Sequence, residues 1–156
     1  MMVTDNIVTL LAKHLKENSE LEVVKYERSP HYVGDYVAVN CKPIYLGNRA
    51  VNSASLNVNI HARKLKSGGA DVKKLGRMFD VVSSLIHTDD GTEDGSVTSL
   101  GGVDFSIVAV SQPKEDKDDT YYVNVQVNGN FTLLNVTYMR EGILGLSKLG
   151  FFILSN

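Results

Sequence analysis

The feature that most constrains this fold is a change of hydrophobic period between residues 56 and 86. From 56 to 63 apolar and polar residues alternate, as they do in a strand with one buried face and one exposed face. After the Gly68-Gly69 turn the apolar residues recur at helical spacing, and they are Val72, Leu75, Phe79, Val82 and Ile86. Asp71 suits the N-cap, where its carboxylate meets free backbone N–H groups. The stretch therefore predicts a strand and then a helix over 71–87 that folds back onto the sheet.

The same stretch resembles the tail-completion or tail-terminator proteins of tailed bacteriophages. The likeness is carried by the strand Asn57-Val58-Asn59-Ile60-His61, the glycine-containing loop and the Asp-led helix. The amino-acid sequence itself is similar across residues 56–86. Over residues 1–128 the likeness lies in the order of helices and strands. The resemblance implies a small non-enzymatic α/β subunit of the virion that forms a homo-oligomeric ring, a hexamer. Such a ring joins the tail tube to the head connector, and DNA passes through its lumen without sequence-specific binding.

The first half of the chain predicts one further helix and two further strands. Residues 4–18 place Ile7, Leu10, Leu11 and Leu15 on one stripe, with Thr4 or Asp5 as the cap. Residues 21–27 and 34–41 are rich in strand-forming side chains and are separated by a turn around Pro30, which predicts a hairpin or meander. Pro43 then opens a polar loop that extends to residue 55.

The second half predicts more antiparallel sheet. Residues 88–101 form an acidic, solvated loop, and the strands 103–109 and 121–128 pair around a charged hairpin tip at 112–119. Asn128-Gly129-Asn130 predicts a tight turn into a further strand over 131–138. The expected fold is α+β and a single domain, with a mixed or antiparallel sheet of about five to six strands and two helices packed on one face.

The C-terminal stretch differs from the rest of the chain in composition. Residues 140–156 are broken by glycines and rich in apolar side chains, so the chain divides into a domain at 1–139 and an apolar arm at 140–156. Such an arm either packs under its own domain or lies on a neighbouring subunit, because exposed apolar patches usually mark interfaces. The sequence leaves both readings open.

Composition excludes several classes of protein. The 16 Lys and Arg against 18 Asp and Glu give a net charge of −2 without a basic block, which argues against tight electrostatic binding to nucleic acid. Cys41 is the only cysteine, so no internal disulfide forms and the chain fits a reducing cytoplasm as its place of synthesis. The N-terminal residues lack the features of a signal peptide, and no apolar run approaches eighteen residues. We therefore predict no membrane partner.

Catalytic and metal-binding motifs are missing from the sequence. The acidic stretch from Asp90 approaches calcium-loop spacing, but Gly101 occupies the position that needs a bidentate glutamate. The four histidines are scattered without a zinc spacing, and no nucleophile elbow, phosphate loop or dinucleotide fingerprint occurs. We therefore expect no cofactor, no metal and no catalytic residue. An enzyme whose site is assembled only in space remains the alternative.

We therefore expect a protein that functions by binding other proteins, and one row of polar side chains is a candidate contact surface. His61 projects from the polar side of the central strand beside Asn57, Asn59 and Arg63, a row that contacts either a partner or water. The loops and the arm supply other candidate contacts. The interface candidates are His61, Arg63, Arg49, Asp116, Asp118, Leu146, Leu149, Phe151 and Phe152. The alternatives to a tail terminator are another head–tail adaptor or connector, a small cytosolic enzyme and a ligand-binding domain.

Overall fold

The computed structural model describes residues 3–27, 32–45, 51–89, 97–117 and 119–132. These residues form two helices, α1 (Val3–Glu17) and α2 (Val72–Leu85). They also form the strands β1 (Val23–Lys25), β2 (Tyr36–Cys41), β3 (Asn52–Arg63), β4 (Thr98–Leu100), β5 (Val103–Val110), β6 (Lys114–Glu115) and β7 (Thr120–Phe131). The predicted α+β single-domain fold is confirmed.

One mixed sheet organises the molecule, with strand order β1-β2-β3-β7-β5-β4 and β6 paired to β7. The two longest strands, β3 and β7, have 12 residues each and pair antiparallel along their whole length, from Asn52 opposite Phe131 to Arg63 opposite Thr120. The predicted antiparallel pairing of 103–109 with 121–128 is also present, as β5 with β7. Strands β3 and β7 therefore form the rigid centre of the sheet.

The two helices cover one face of this sheet, as predicted. Along β3 the side chains of Leu56, Val58 and Ile60 are buried on that face, and the matching residues of β2 and β7 join them in one core. Helix α1 packs on β1 and β2, and α2 packs on β3. At the opposite edge, a Cβ built on Gly101 would lie 2.9 Å from Leu10 Cδ2 of α1. The sheet therefore curls around α1.

Helix α2 begins as its sequence predicts. The Asp71 carboxylate accepts a hydrogen bond from the Lys74 backbone N–H at 3.1 Å, as an N-cap does. Leu75 and Val82 of the predicted stripe are buried, and Phe79 packs against the core from a partly buried position. The prediction that Val72 belongs to the core is wrong, because this residue starts the first turn of the helix and is 64% exposed. Met78 fills the core instead.

Helix α1 carries the predicted stripe, with Ile7, Leu11 and Leu15 fully buried. The cap prediction is wrong, because the helix already includes Val3 and therefore places Thr4 and Asp5 inside its first turn. Asp5 instead accepts a hydrogen bond from the Tyr26 hydroxyl at 2.8 Å and so ties the helix to the end of β1.

The predicted hairpin between β1 and β2 is wrong, because the two strands pair in parallel with Val23 opposite Val37. Alternation of apolar and polar residues marks a strand but does not encode its direction. The chain leaves β1 through Tyr26, whose φ of +65° is unusual for a bulky residue. It then returns to start β2 in the same direction.

The predicted turn at 128–130 is also wrong, because β7 runs straight through it to Phe131. Gly129 pairs with Ala54 of β3 and with Phe105 of β5. A Cβ on Gly129 would lie 3.1 Å from Val103 Cγ1 and 3.2 Å from Phe105 Cε1, so the glycine is required by close packing rather than by a turn.

Two predicted loops contain strands. Strand β3 already begins at Asn52 inside the predicted loop 43–55, because Asn52 and Ala54 are buried between exposed serines. Strand β4 lies inside the predicted loop 88–101 and is joined to β5 by Gly101 and Gly102, both at positive φ, as in a two-residue hairpin. Small residues and the glycine pair concealed both strands.

Several predictions lie outside the described residues. They include the strand over 131–138 beyond Thr132, the boundary between 139 and 140, and the arm at 140–156. The calcium-like stretch 90–96 lies outside them as well.

Candidate interaction face

The centre of the sheet turns a row of polar side chains away from the helices. Because strand side chains alternate, the residues between the buried positions of β2, β3 and β7 share the opposite face. We call this set the polar face. Its residues are Asn40, Ser53, Ser55, Asn57, Asn59, Asn124, Gln126, Asn128 and Asn130.

Four asparagines hold the middle of the polar face together. Asn57 Nδ2 donates to Asn40 Oδ1 at 2.9 Å across β2 and β3. Asn124 Nδ2 donates to Asn59 Oδ1 at 2.7 Å and to Asn57 Oδ1 at 3.1 Å across β3 and β7. These cross-strand bonds orient the amides, so the polar face is an ordered surface rather than a set of independently moving side chains.

The far end of the polar face is more open to solvent. Ser53, Ser55, Gln126 and Asn130 are exposed, and Ser53 Oγ donates to Asn130 Oδ1 at 2.5 Å. A recess beside Ser55 and Gln126 has a volume of only about 30 Å³. Sites for small organic ligands usually enclose about 300–1,000 Å³, so this recess is suited to a water molecule or a single partner side chain.

An aromatic stack closes the other end of the polar face. His61 lies between Tyr36 and Tyr122, with ring centroids 4.3 Å and 5.2 Å away and interplanar angles of 7° and 24°. Tyr32 meets the edge of Tyr36 at 5.9 Å. The three stacked residues lie directly opposite one another on β2, β3 and β7. We call Tyr36, His61 and Tyr122 the histidine stack.

The imidazole of the stack also has polar neighbours. His61 Nδ1 lies 3.3 Å from Thr120 Oγ1 and 3.5 Å from Asp116 Oδ2, and the ring is 7% exposed. A protonated Nδ1 donates to the carboxylate, whereas an unprotonated Nδ1 accepts from the hydroxyl. With tyrosines on both sides of the ring, His61 packs this end of the sheet and anchors the segment that carries Asp116.

A second set of contacts holds the same segment from the other side of the sheet. Lys64 Nζ binds Glu115 Oε1 at 2.5 Å and lies 5.7 Å from the centroid of the Tyr121 ring. The hydrogen bond to Glu115 raises the pKa of Lys64. The segment 114–117 is therefore attached to the sheet through Lys64 and through His61.

The predicted interface residues divide into three groups. The fold brings His61 and Asp116 together, as the stack shows. Arg63 is exposed at the end of β3, and its backbone N–H donates to Asp35 Oδ1 at 3.0 Å. The remaining candidates lie outside the described residues, and they are Arg49, Asp118, Leu146, Leu149, Phe151 and Phe152.

Tyr36, Tyr122 and Thr120 lie around His61 at one end of the polar face, and they were not predicted from the sequence as neighbours of His61. Each looks like an ordinary strand residue, and only the pairing register places it beside His61. The alternation of β7 did contain a usable signal, because it put Tyr122 on the same side as Asn124 and Gln126.

Other histidines outside the face have local structural partners. His14 Nε2 lies 2.9 Å from the Leu85 backbone oxygen and links α1 to the end of α2. His87 Nδ1 lies 2.9 Å from Thr98 Oγ1. Within the described ranges, no group of three or more His, Cys, Asp or Glu side chains is placed to hold a metal ion. No helix in those ranges is long and apolar enough to cross a membrane.

Comparison with known proteins does not identify a family for this chain. The sequence matches no protein-family model and no curated protein. Function is therefore inferred from the polar face and from the likeness carried by residues 56–86.

Proposed function

We propose that this protein is a structural subunit of a tailed-phage virion, a tail-completion or tail-terminator protein. It forms a homo-oligomeric ring, a hexamer, that ends the tail tube and joins it to the head connector. The polar face is the observation that carries the proposal. It serves as a contact surface between subunits or with the tube.

The build of the polar face suits protein contact. The amides of Asn57, Asn59 and Asn124 are oriented before binding, which lowers the entropy lost when a partner docks. Exposed Gln126 and Asn130 offer further donors and acceptors. A surface of this kind supplies the hydrogen bonds that typical interfaces contain, at about one per 100–200 Å².

The position of the polar face suits a ring. It lies on β3 and β7, the longest and most central strands, so a load applied there passes into the paired centre of the sheet. A head-to-tail contact between one patch and a different patch of the next subunit closes into a ring when the rotation permits. The exposed side chains Tyr45 and Val51 provide apolar surface for such a second patch.

Charge supports passage of DNA through a lumen. The chain carries a net charge of −2, and tight nucleic-acid binding requires clustered cations that neutralise phosphates. A near-neutral or acidic lumen lets DNA slide instead of adhering.

The likeness of residues 56–86 selects the phage terminator among ring-forming proteins. Another head–tail adaptor or connector uses the same surfaces in a different layer of the virion and is the nearest alternative. A small cytosolic enzyme or ligand-binding domain is the alternative from a different class.

The first test is the mass of the purified full chain, measured by size-exclusion chromatography with light scattering and by native mass spectrometry. We expect an assembly of roughly six subunits under cyclic symmetry, either alone or after addition of tail tubes. A protein that stays monomeric and does not bind tail tubes contradicts the proposal. That result favours a small enzyme or a ligand-binding domain.

The second test concerns the apolar arm. Deletion of residues 143–156 separates the two readings of this segment, because an interface arm contributes to assembly whereas a core segment contributes to stability. We expect a smaller or absent assembly with an unchanged thermal midpoint. A lower midpoint with an unchanged assembly identifies the arm as part of the core.

A further inference from the structure

A groove lies at the edge of the sheet opposite β4, between α1 and β1. It has a volume of about 520 Å³, and its floor is formed by Ala12 of α1 and Val23 of β1. Both residues are buried and apolar. The groove is therefore large enough for one or two side chains of a bound segment, and its floor favours an apolar one.

The backbone beside this groove has an unused edge. Strand β1 is at the end of the sheet, and within the described ranges it pairs only with β2. The Val37 N–H donates to Glu22 O at 2.8 Å, and the Tyr26 N–H donates to Val39 O at 2.8 Å. In a parallel pair alternate residues bond to the neighbour. The backbone groups of Val23 and Lys25 consequently point outward and can bond to another strand.

The rim of the groove is basic although the chain as a whole is not. Lys13, Lys16 and Lys25 line it together with a single carboxylate, Glu17. The Lys13–Glu17 pair is exposed at 3.8 Å and Lys25 lies 3.7 Å from Asp5, so both are weak surface pairs. Lys16 has no ion pair among the described residues. The rim therefore attracts acidic groups.

We propose that this groove binds an extended peptide segment of a partner protein that is acidic and carries an apolar side chain. The segment adds to the outer edge of β1 as a further strand. Its backbone bonds to Val23 and Lys25, its apolar side chain packs between Ala12 and Val23, and its carboxylates meet the lysines. Peptide binding by strand addition takes affinity from main-chain bonds and specificity from alternate side-chain pockets.

This proposal is independent of the ring. The groove is at the β1 edge and is lined by α1, whereas the polar face is on the far side of β2, β3 and β7. A monomeric protein can still bind the peptide, and a ring can form without it.

The test uses a displayed library of random heptapeptides selected on the full-length protein. The most enriched peptide is then measured by fluorescence anisotropy. We expect enriched sequences in which acidic residues stand two positions from an apolar one, so that both face the groove from one side of the added strand, and we expect affinity that falls as salt rises. No enrichment, or enrichment of basic sequences, overturns the proposal.

Two variants and two modified peptides locate the site. Lys16→Glu reverses a charge at the rim. We expect it to raise the dissociation constant of the peptide roughly tenfold. Lys73→Glu makes the same charge change on exposed α2 and is expected to leave affinity unchanged. Two peptides carry N-methyl groups at alternate residues, one in each of the two possible sets, and the peptide whose methylated N–H groups would face β1 is expected to lose binding.

Three results contradict the inference. Equal binding to the Lys16→Glu and Lys73→Glu proteins places the peptide elsewhere. Full binding of both N-methylated peptides excludes strand addition. A synthetic peptide of residues 143–154 that binds the groove when acidic peptides do not assigns the groove to the chain's own apolar arm. Circular dichroism of each variant verifies folding before the comparison.

Discussion

The two faces of the central sheet are built from the same strands but by different chemistry. On the helix-covered face Leu56, Val58 and Ile60 are buried without polar partners. On the polar face the intervening Asn57 and Asn59 bond to amides of neighbouring strands. Hydrophobic burial holds the fold on one side, while oriented hydrogen bonds shape a surface on the other. Stability and interaction are therefore separable by mutation along a single strand.

The largest effect is expected from adjacent residues of β3. Ile60→Ala leaves a cavity in the core and should lower the free energy of unfolding by about 2–5 kcal/mol. Asn59→Ala removes one acceptor of Asn124, which keeps its bond to Asn57, and should cost about 0.5–1.5 kcal/mol. Urea denaturation measures both. Equal losses would mean that the two faces do not differ as described.

The next effect tests the close packing at Gly129. Gly129→Val places side-chain carbons against Val103 and Phe105, both fully buried, and should cost about 1–3 kcal/mol by overpacking. Asn128→Val, one residue earlier on the polar face, is the control and should change stability by less than about 0.5 kcal/mol. If the Gly129→Val protein is as stable as the control, the side chains of Val103 and Phe105 do not pack against Gly129 as closely as described.

A stabilising effect of similar size is expected where the core contains an amide. Asn6 of α1 is 1% exposed, and within the described part of the chain neither its Nδ2 nor its Oδ1 has a hydrogen-bond partner. Asn6→Leu removes this unpaired group and should raise the free energy of unfolding by about 1–3 kcal/mol. Asn59→Leu is the control and should not stabilise, since it breaks the bond to Asn124. A less stable Asn6→Leu protein would show that the amide has a role of its own.

The smallest effect is expected on the outer surface of α2. Gly76 is exposed in the middle of the helix, and apart from its chain neighbours and the adjacent helix backbone, an added Cβ would meet no atom of a described residue within 4 Å. Gly76→Ala should therefore stabilise by about 0.5–1 kcal/mol through helix propensity alone. Thermal denaturation measures the shift. A loss of stability would indicate that the glycine serves a contact on this surface.

Periodicity predicted the parts of the fold whose pattern is local. The strand and helix within residues 56–86, the Asp71 cap and the antiparallel pairing of β5 with β7 all follow from side-chain spacing over a few turns or strand repeats. The helix stripe was nearly complete, with Met78 in place of Val72.

The wrong predictions depend on distant residues. Nothing near Val23 indicates that β1 pairs in parallel with β2, because strand direction is decided by the path of the whole chain. Asn128-Gly129-Asn130 has the composition of a turn, yet the ring of Phe105 is what requires the glycine. The histidine stack likewise depends on the register of three strands, which no single stretch contains.

The most direct test of the account compares assembly of two charged variants. Gln126→Arg introduces a cation on the exposed part of the polar face, and Ser84→Arg makes the same change on exposed α2. Both proteins should remain as stable as the wild type, because both positions are exposed. In native mass spectrometry we expect the Ser84→Arg protein to assemble like the wild type and the Gln126→Arg protein to lose the ring. An intact Gln126→Arg ring would contradict the claim that subunits meet at the polar face.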